Sequence, residues 1–132
     1  MERAFQWAFC QGYSSAAALG SDLPQLTAKG AGQLARLLRS EPALIGPSPD
    51  GGYWTVGFAA GAFVPGAFRN MPWSSPELFA RTMNVMEPLQ PAVLPEMRDM
   101  DTAEDLRGLM EACPPGAARR TMEILEALRG GF

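Results

Sequence analysis

The chain of 132 residues contains no histidine, one lysine and two cysteines. Without histidine, neither a Ser–His or Cys–His nucleophile pair nor a zinc site built on imidazole can form. Cys10 and Cys113 fit no metal-binding or redox spacing, so we predict that both are reduced thiols buried in the fold. Carboxylates remain as the groups for chemistry, and they bind hard cations such as Mg2+ or Mn2+.

The sequence also lacks a long apolar run and an excess of basic residues. No segment approaches the roughly 20 apolar residues that span a bilayer, and the N-terminus does not show the pattern of a signal peptide. The formal net charge of −3 does not favour nucleic acid as a partner. We therefore expect a single cytoplasmic domain over residues 1–132, with neither a membrane nor nucleic acid among its partners.

Short apolar runs alternate with amphipathic segments along most of the chain, and this alternation predicts an α/β layered sheet. Helices are predicted over 2–11, 27–39, 75–87, 101–113 and 116–129, the last within a C-terminal helical segment over 114–132. Thr27 is the predicted cap of the second helix, and Ser75 followed by Pro76 is the predicted cap of the third. Strands are predicted in "SSAAALGSD", "ALIG", "YWTVGF" and "PAVLPEMRD". In the third strand, the alternation of side chains places Trp54, Val56 and Phe58 on one face.

Acidic residues stand where these strands meet loops. Asp22 follows the first strand, Asp50 precedes the third, and Asp99 and Asp101 follow the fourth. Ligands of open α/β sheets bind outside the carboxyl ends of the strands, so these acids could converge on one cation.

Each acid also has a purely structural interpretation. Asp22 can hold a turn with Ser21, and Asp50 can begin an Asp-Gly turn. Asp101 can cap the following helix, with Glu104 completing the capping box.

Two glycines follow Asp50, and they raise a similar choice. Asp50-Gly51-Gly52 stands before an aromatic strand, where it can form a hairpin turn or offer bare backbone to a bound ligand. Trp73, in a loop, can stack on a base or sugar, or cover the core.

Four segments in order carry a family resemblance: "LGSDLPQLT", "IGPSPDGGYWTVGF", "MPWSSPELF" and "LPEMRDMDTAEDL". Together, over residues 1–109, they resemble the second half of a bacterial glycosyltransferase family with a GT-A-like fold, often labelled arsenosugar-biosynthesis glycosyltransferase. That family is similar to the nucleotidyltransferases that make molybdenum cofactor dinucleotides and guanylylated phospholactate. The resemblance implies part of a three-layer α/β/α nucleotide-diphospho-sugar transferase fold with a mixed sheet.

The resemblance also implies roles for particular residues. It assigns Asp22 and Asp99 to an Mg2+ or Mn2+ ion, Asp50 and Asp101 to catalysis, and Gly51, Gly52, Tyr53, Trp73 and Ser74 to substrate binding. The implied substrates are a nucleotide-sugar donor and an acceptor that the sequence does not identify. Nucleotidyl transfer and a non-catalytic interaction module of the same fold are the alternative functions.

Proteins of this resemblance carry an earlier strand and a loop with glycine, lysine and arginine that binds the nucleotide. We therefore expect the chain to correspond to a C-terminal half in which the N-terminal nucleotide-binding strands are missing. An unpaired strand edge would then favour a homodimer or association with the missing N-terminal half.

Overall fold

A computed structural model of the chain describes residues 1–112 and 117–129. The helices are α1 (Glu2–Cys10), α2 (Ala28–Leu37), α3 (Leu78–Met86), α4 (Ala103–Ala112) and α5 (Arg119–Arg129), and the strands are β1 (Ser15–Leu19), β2 (Ala43–Pro47), β3 (Tyr53–Ala59) and β4 (Ala92–Val93). Short 3-10 helices cover Ala60–Ala62, Pro65–Phe68 and Glu87–Leu89. The start of the predicted last helix and Cys113 lie outside the described residues.

The strands form one four-stranded mixed sheet in the order β1-β3-β2-β4, which confirms the predicted α/β class. Strand β3 is antiparallel to β1 and to β2, whereas β2 and β4 are parallel. Strands β1, β2 and β4 therefore run in the same direction. Their carboxyl ends and the amino end of β3 meet at one edge of the sheet, which is where the acidic loops begin.

Helices cover both faces of the sheet, and the fold has the predicted three layers. On one face, Phe5 of α1 and Met86 of α3 pack with Ile45, Val56 and Phe58. On the other face, a second buried cluster joins α2 to the sheet through Leu34, Leu38, Leu44 and Trp54. Apolar side chains from two consecutive positions of β2, Leu44 and Ile45, thus fill the two cores.

The predicted grouping of Trp54 with Val56 and Phe58 is wrong. Pairing between β2 and β3 shifts register between Gly46 and Pro47, so β3 carries an extra residue there. This bulge turns Trp54 to the α2 face. A Cβ on Gly46 would lie 2.4 Å from the Trp54 ring, so the indole occupies space that Gly46 leaves open.

Helix boundaries follow the sequence signals closely but not everywhere. Thr27 caps α2 as predicted, because its Oγ1 accepts a hydrogen bond from the Gly30 amide at 3.1 Å. Helix α3 begins at Leu78, later than predicted, because Ser75 instead closes a turn by accepting from the Glu77 amide at 3.2 Å. The prediction of a buried Cys10 thiol is also wrong, since Cys10 is exposed at the end of α1.

None of the described helices has both the length and the apolar character needed to cross a membrane.

Candidate functional site

Three of the predicted acids come together at the carboxyl edge of the sheet. Each of Asp22, Asp99 and Asp101 places one carboxylate oxygen within 4.8 Å of an oxygen of the other two. Asp22 lies in the loop after β1, and the other two lie in the segment after β4. We call these three residues the acid cluster.

Backbone and side-chain hydrogen bonds hold the two loops of the acid cluster side by side. The Met100 amide donates to the Asp22 carbonyl oxygen at 3.1 Å, between the two acids of its own loop. The Gln25 side-chain amide also donates to the Arg98 carbonyl oxygen. The proximity of the carboxylates is therefore fixed by the backbone rather than by an attraction between the acids themselves, which repel one another.

Asp101 is not the helix cap that the sequence allows as an alternative. Helix α4 is capped one residue later, where Thr102 Oγ1 accepts from the Asp105 amide at 3.1 Å. Asp105 completes this capping box, because its Oδ2 accepts from the Thr102 amide at 2.9 Å. The shift leaves the Asp101 carboxylate free to face the acid cluster.

Asp50 does form the predicted Asp-Gly turn. Its Oδ1 accepts from the Gly52 amide at 2.9 Å. Gly51 has φ +87°, a left-handed conformation that favours glycine, and its amide donates to the Ser48 carbonyl oxygen at 3.1 Å.

The same turn packs tightly against the start of α3. The Gly51 carbonyl oxygen accepts from the Phe79 amide at 2.8 Å. A Cβ on Gly51 would lie 2.2 Å from the Pro76 carbonyl oxygen. The turn and the loop before α3 therefore form one continuous wall, with Gly51 at the contact between them.

A polar cavity of about 400 Å³ opens between this wall and the segment after β4. Six predicted site residues line it, namely Asp50, Gly52, Tyr53, Ser74, Asp99 and Asp101. Ser48 and Ser75 line it as well, and sequence reasoning did not single them out, although both belong to the quoted motifs. Ser74 has φ +60°, an uncommon conformation for serine of the kind that clusters at functional sites.

Three predicted residues are placed differently. Asp22 belongs to the acid cluster but does not line this cavity, and Gly51 contacts Pro76 instead. Trp73 is half exposed and lines a separate pocket with Glu2, Arg3 and Phe68.

The electrostatics of the site favour a bound positive charge. Burial raises the pKa of Asp99 above its usual value; a hydrogen bond to the backbone opposes this, and the charges of Asp101, Asp50 and Asp22 add to the rise. Among the described residues, no arginine or lysine forms an ion pair with any of these four acids.

The acid cluster fits a divalent cation. Its three carboxylates offer oxygen ligands alone, the donor set that Mg2+ and Mn2+ prefer, and they are close enough to share one ion. A cation would also offset charge that the described residues leave uncompensated. Asp22, Asp99 and Asp101 are the residues that would hold it.

The chain belongs to the bacterial family DUF2064, described as "Uncharacterized protein conserved in bacteria", whose family model matches residues 1–75. No curated protein matches the chain. Its fold is similar to a crystal structure from Desulfovibrio desulfuricans G20, a "putative nucleotide-diphospho-sugar transferase". The two chains are 31% identical with a TM-score of 0.84, over 91% of this chain and 53% of the other.

The chain thus spans about half the length of the Desulfovibrio protein. The comparison bears out the predicted fold, and the resemblance to transferases that use nucleotide sugars is supported at that coarse level.

Proposed function

We propose that the chain takes part in the metal-dependent transfer of a glycosyl group from a nucleotide-activated sugar to an acceptor. The acid cluster is the observation that carries this proposal, because it stands beside a polar cavity at the edge of the sheet where α/β folds bind ligands. The similarity to the Desulfovibrio protein supports the nucleotide-sugar donor. The arsenosugar-type assignment is the finer part of the proposal and rests on the sequence motifs.

In the proposed reaction, an acceptor hydroxyl oxygen attacks the anomeric carbon of the donor sugar. The new carbon–oxygen bond forms while the bond from that carbon to the diphosphate oxygen breaks, and the nucleoside diphosphate leaves with the electron pair. A bound Mg2+ or Mn2+ would stabilise the negative charge that develops on the leaving diphosphate.

Residues of the cavity would bind the acceptor and accept its hydroxyl proton. The hydroxyl proton passes to a carboxylate, and Asp50 is the first candidate because it lines the cavity outside the acid cluster. Asp101 is the second candidate, since it lies in both the cavity and the acid cluster. Gly52 exposes backbone beside Asp50, which allows a substrate to approach closely.

Nucleotidyl transfer, or a non-catalytic interaction module, is the alternative.

Isothermal titration of the chain with Mn2+ and either UDP-glucose or GDP-mannose tests the proposal. We expect metal-dependent binding of at least one donor, and we expect Asp22→Ala to weaken it by more than about 100-fold, because even outer-shell partners of a metal contribute 10–100-fold. Glu104→Ala is the matched control, since Glu104 is an exposed acid on α4 outside the acid cluster. Silence from a folded sample with both donors would favour the interaction module.

A further inference from the structure

The polar cavity has an unusual charge for a site that would receive a substrate. Asp50, Asp99 and Asp101 line it, and none of its described lining residues is basic. Asp22 adds a fourth carboxylate next to two of these acids. Even with one divalent cation on the acid cluster, four carboxylates would leave two negative charges without compensation.

The cavity also has an unpartnered hydroxyl at its wall. Ser48 is 5% exposed, and its Oγ is buried with no hydrogen-bond partner. Its backbone is fully used, because its amide donates to the Gly52 carbonyl oxygen at 3.0 Å and its own carbonyl oxygen accepts from the Gly51 amide at 3.1 Å. The side chain is therefore not required to close the turn, and a buried hydroxyl without a partner calls for an explanation.

Tyr53 lines the same cavity at the start of β3. Its hydroxyl oxygen is buried and lies close to the Thr82 side chain of α3, so it is not free in the way that the Ser48 hydroxyl is. The bulge after Gly46 separates Tyr53 from Trp54, so that Tyr53 packs on the α1 and α3 face while Trp54 packs on α2.

We propose that this cavity binds the acceptor through uncharged hydroxyl groups, so that the acceptor is a sugar or another polyol and not a phosphate ester or a carboxylate. The proposal rests on the proposed function only in calling this ligand the acceptor. Hydroxyl groups both donate and accept, and thus they match carboxylates that accept together with the Ser48 hydroxyl, which can donate. An anion would meet the uncompensated negative charge.

A neutral acceptor is compatible with glycosyl transfer, but not with nucleotidyl transfer to a phosphate group. A phosphate acceptor would place a second anion beside Asp50, which the cavity does not offset. A neutral hydroxyl loses its proton as it reacts, and a nearby carboxylate can accept that proton.

A pair of probes that differ in one phosphate tests the proposal. Methyl β-D-glucopyranoside and glucose 6-phosphate are titrated separately into the full chain with Mg2+ in excess, and amide chemical shifts are followed by NMR. We expect the neutral glycoside to shift the Gly52 and Ser75 amides and to bind at least about tenfold more tightly than the phosphate ester, a tenfold ratio being a modest electrostatic effect. Glucose 6-phosphate that binds equally well or better would overturn the proposal.

Variants test the hydroxyl contacts and the source of the charge. Ser48→Ala should weaken glycoside binding by about tenfold, in the range of one lost hydrogen bond. Ser40→Ala is the control, because the exposed Ser40 hydroxyl only donates to the Leu37 carbonyl oxygen at 3.1 Å. Asp50→Asn removes one negative charge from the cavity and should therefore reduce the ratio of the affinities for the neutral glycoside and for glucose 6-phosphate. Unchanged affinity of Ser48→Ala for the glycoside would contradict the proposal.

The outcomes also separate this proposal from the function on which it rests. Binding of the glycoside without binding of either nucleotide sugar would refute the proposed function and keep the polyol site. Binding of a nucleotide sugar without any binding of the glycoside would refute the polyol site and keep the proposed function.

Discussion

The segment from residue 99 to residue 105 holds carboxylates in opposite surroundings: Asp99 and Asp101 lie among other acids, whereas Asp105 lies among hydrogen-bond donors. Asp99 and Asp101 turn toward Asp22, and burial with the neighbouring acids raises the pKa of Asp99. Asp105 is more deeply buried than either, but hydrogen bonds from Thr102 and then from Arg98 lower its pKa to about 2. The protein thus compensates one buried acid fully and leaves the others exposed to mutual repulsion.

The difference separates a carboxylate with a structural role, that of Asp105, from the carboxylates of the acid cluster, which remain available to a ligand. The Asp105 carboxylate accepts from the Thr102 hydroxyl at 2.6 Å and from the Arg98 guanidinium at 2.8 Å, so it fixes the start of α4. Within residues 1–112 and 117–129, no arginine or lysine pairs with a carboxylate of the acid cluster, although backbone contacts hold its loops in place. Charges that a fold brings together without compensating them are a recognised mark of a binding or catalytic site.

The largest expected effect comes from breaking the wall of the cavity without changing any charge. Gly51→Ala forces a side chain into a left-handed conformation and places its Cβ against the Pro76 backbone. We expect a loss of about 3 kcal/mol, the usual range for such strain and overpacking, and a melting temperature lower by about 10 °C.

Thermal unfolding followed by circular dichroism measures this effect. Gly61→Ala is the matched control, because a Cβ on Gly61 would meet nothing within 4 Å. Its expected change is within about 0.5 kcal/mol. Equal melting temperatures for the two variants would show that the Gly51 contact with Pro76 is not tight.

An intermediate effect is expected at the compensated acid. Thr102→Ala removes the hydroxyl that accepts from the Asp105 amide and donates to its carboxylate. We expect a loss of about 1 kcal/mol, typical of an N-cap, and a melting temperature lower by about 4 °C, whereas Thr102→Ser should retain most of the stability.

The pH dependence of this loss has a definite sign. The folded pKa of Asp105 is about 2, below its usual value of 3.8, so its ionised form stabilises the folded state. This stabilisation is present above about pH 4 and is lost as the pH falls through about 2. The difference between wild type and Thr102→Ala, measured by urea unfolding, should therefore shrink as the pH falls through this range; a constant difference would contradict it.

The sequence predicted correctly those features that depend on residues close together in the chain. The Thr27 cap, the Asp50-Gly51-Gly52 turn and the α/β alternation all depend on neighbours in the chain, and the structure confirms each of them.

Features that depend on distant pairing escaped prediction. The face of Trp54 is set by a register shift against Gly46. The packing of the loop before α3 on Gly51 likewise joins residues that are far apart in the chain. The capping box of α4 begins at Thr102, one residue later than the box of Asp101 and Glu104 that the sequence allows. Arg98 and Thr102 both form hydrogen bonds with Asp105. Similarly, the orphaned hydroxyl of Ser48 becomes visible only when its burial and its contacts are known.

The smallest expected effect concerns the uncompensated acids, and its sign should be opposite to that at Asp105. The folded pKa of Asp99 is raised, so its contribution to stability is favourable at low pH and is lost as the pH rises through that pKa. At neutral pH with EDTA, Asp99→Asn should therefore raise the melting temperature slightly, by at most about 2 °C. Excess Mg2+ should reverse the order of the two melting temperatures. A cation that binds the folded wild type stabilises it, and this gain increases with the affinity of the site. Glu104→Gln, which neutralises an exposed acid outside the cluster, should show neither effect. A lower melting temperature for Asp99→Asn in EDTA would mean that the acid cluster is compensated within the fold, and the contrast with Asp105 would then fail.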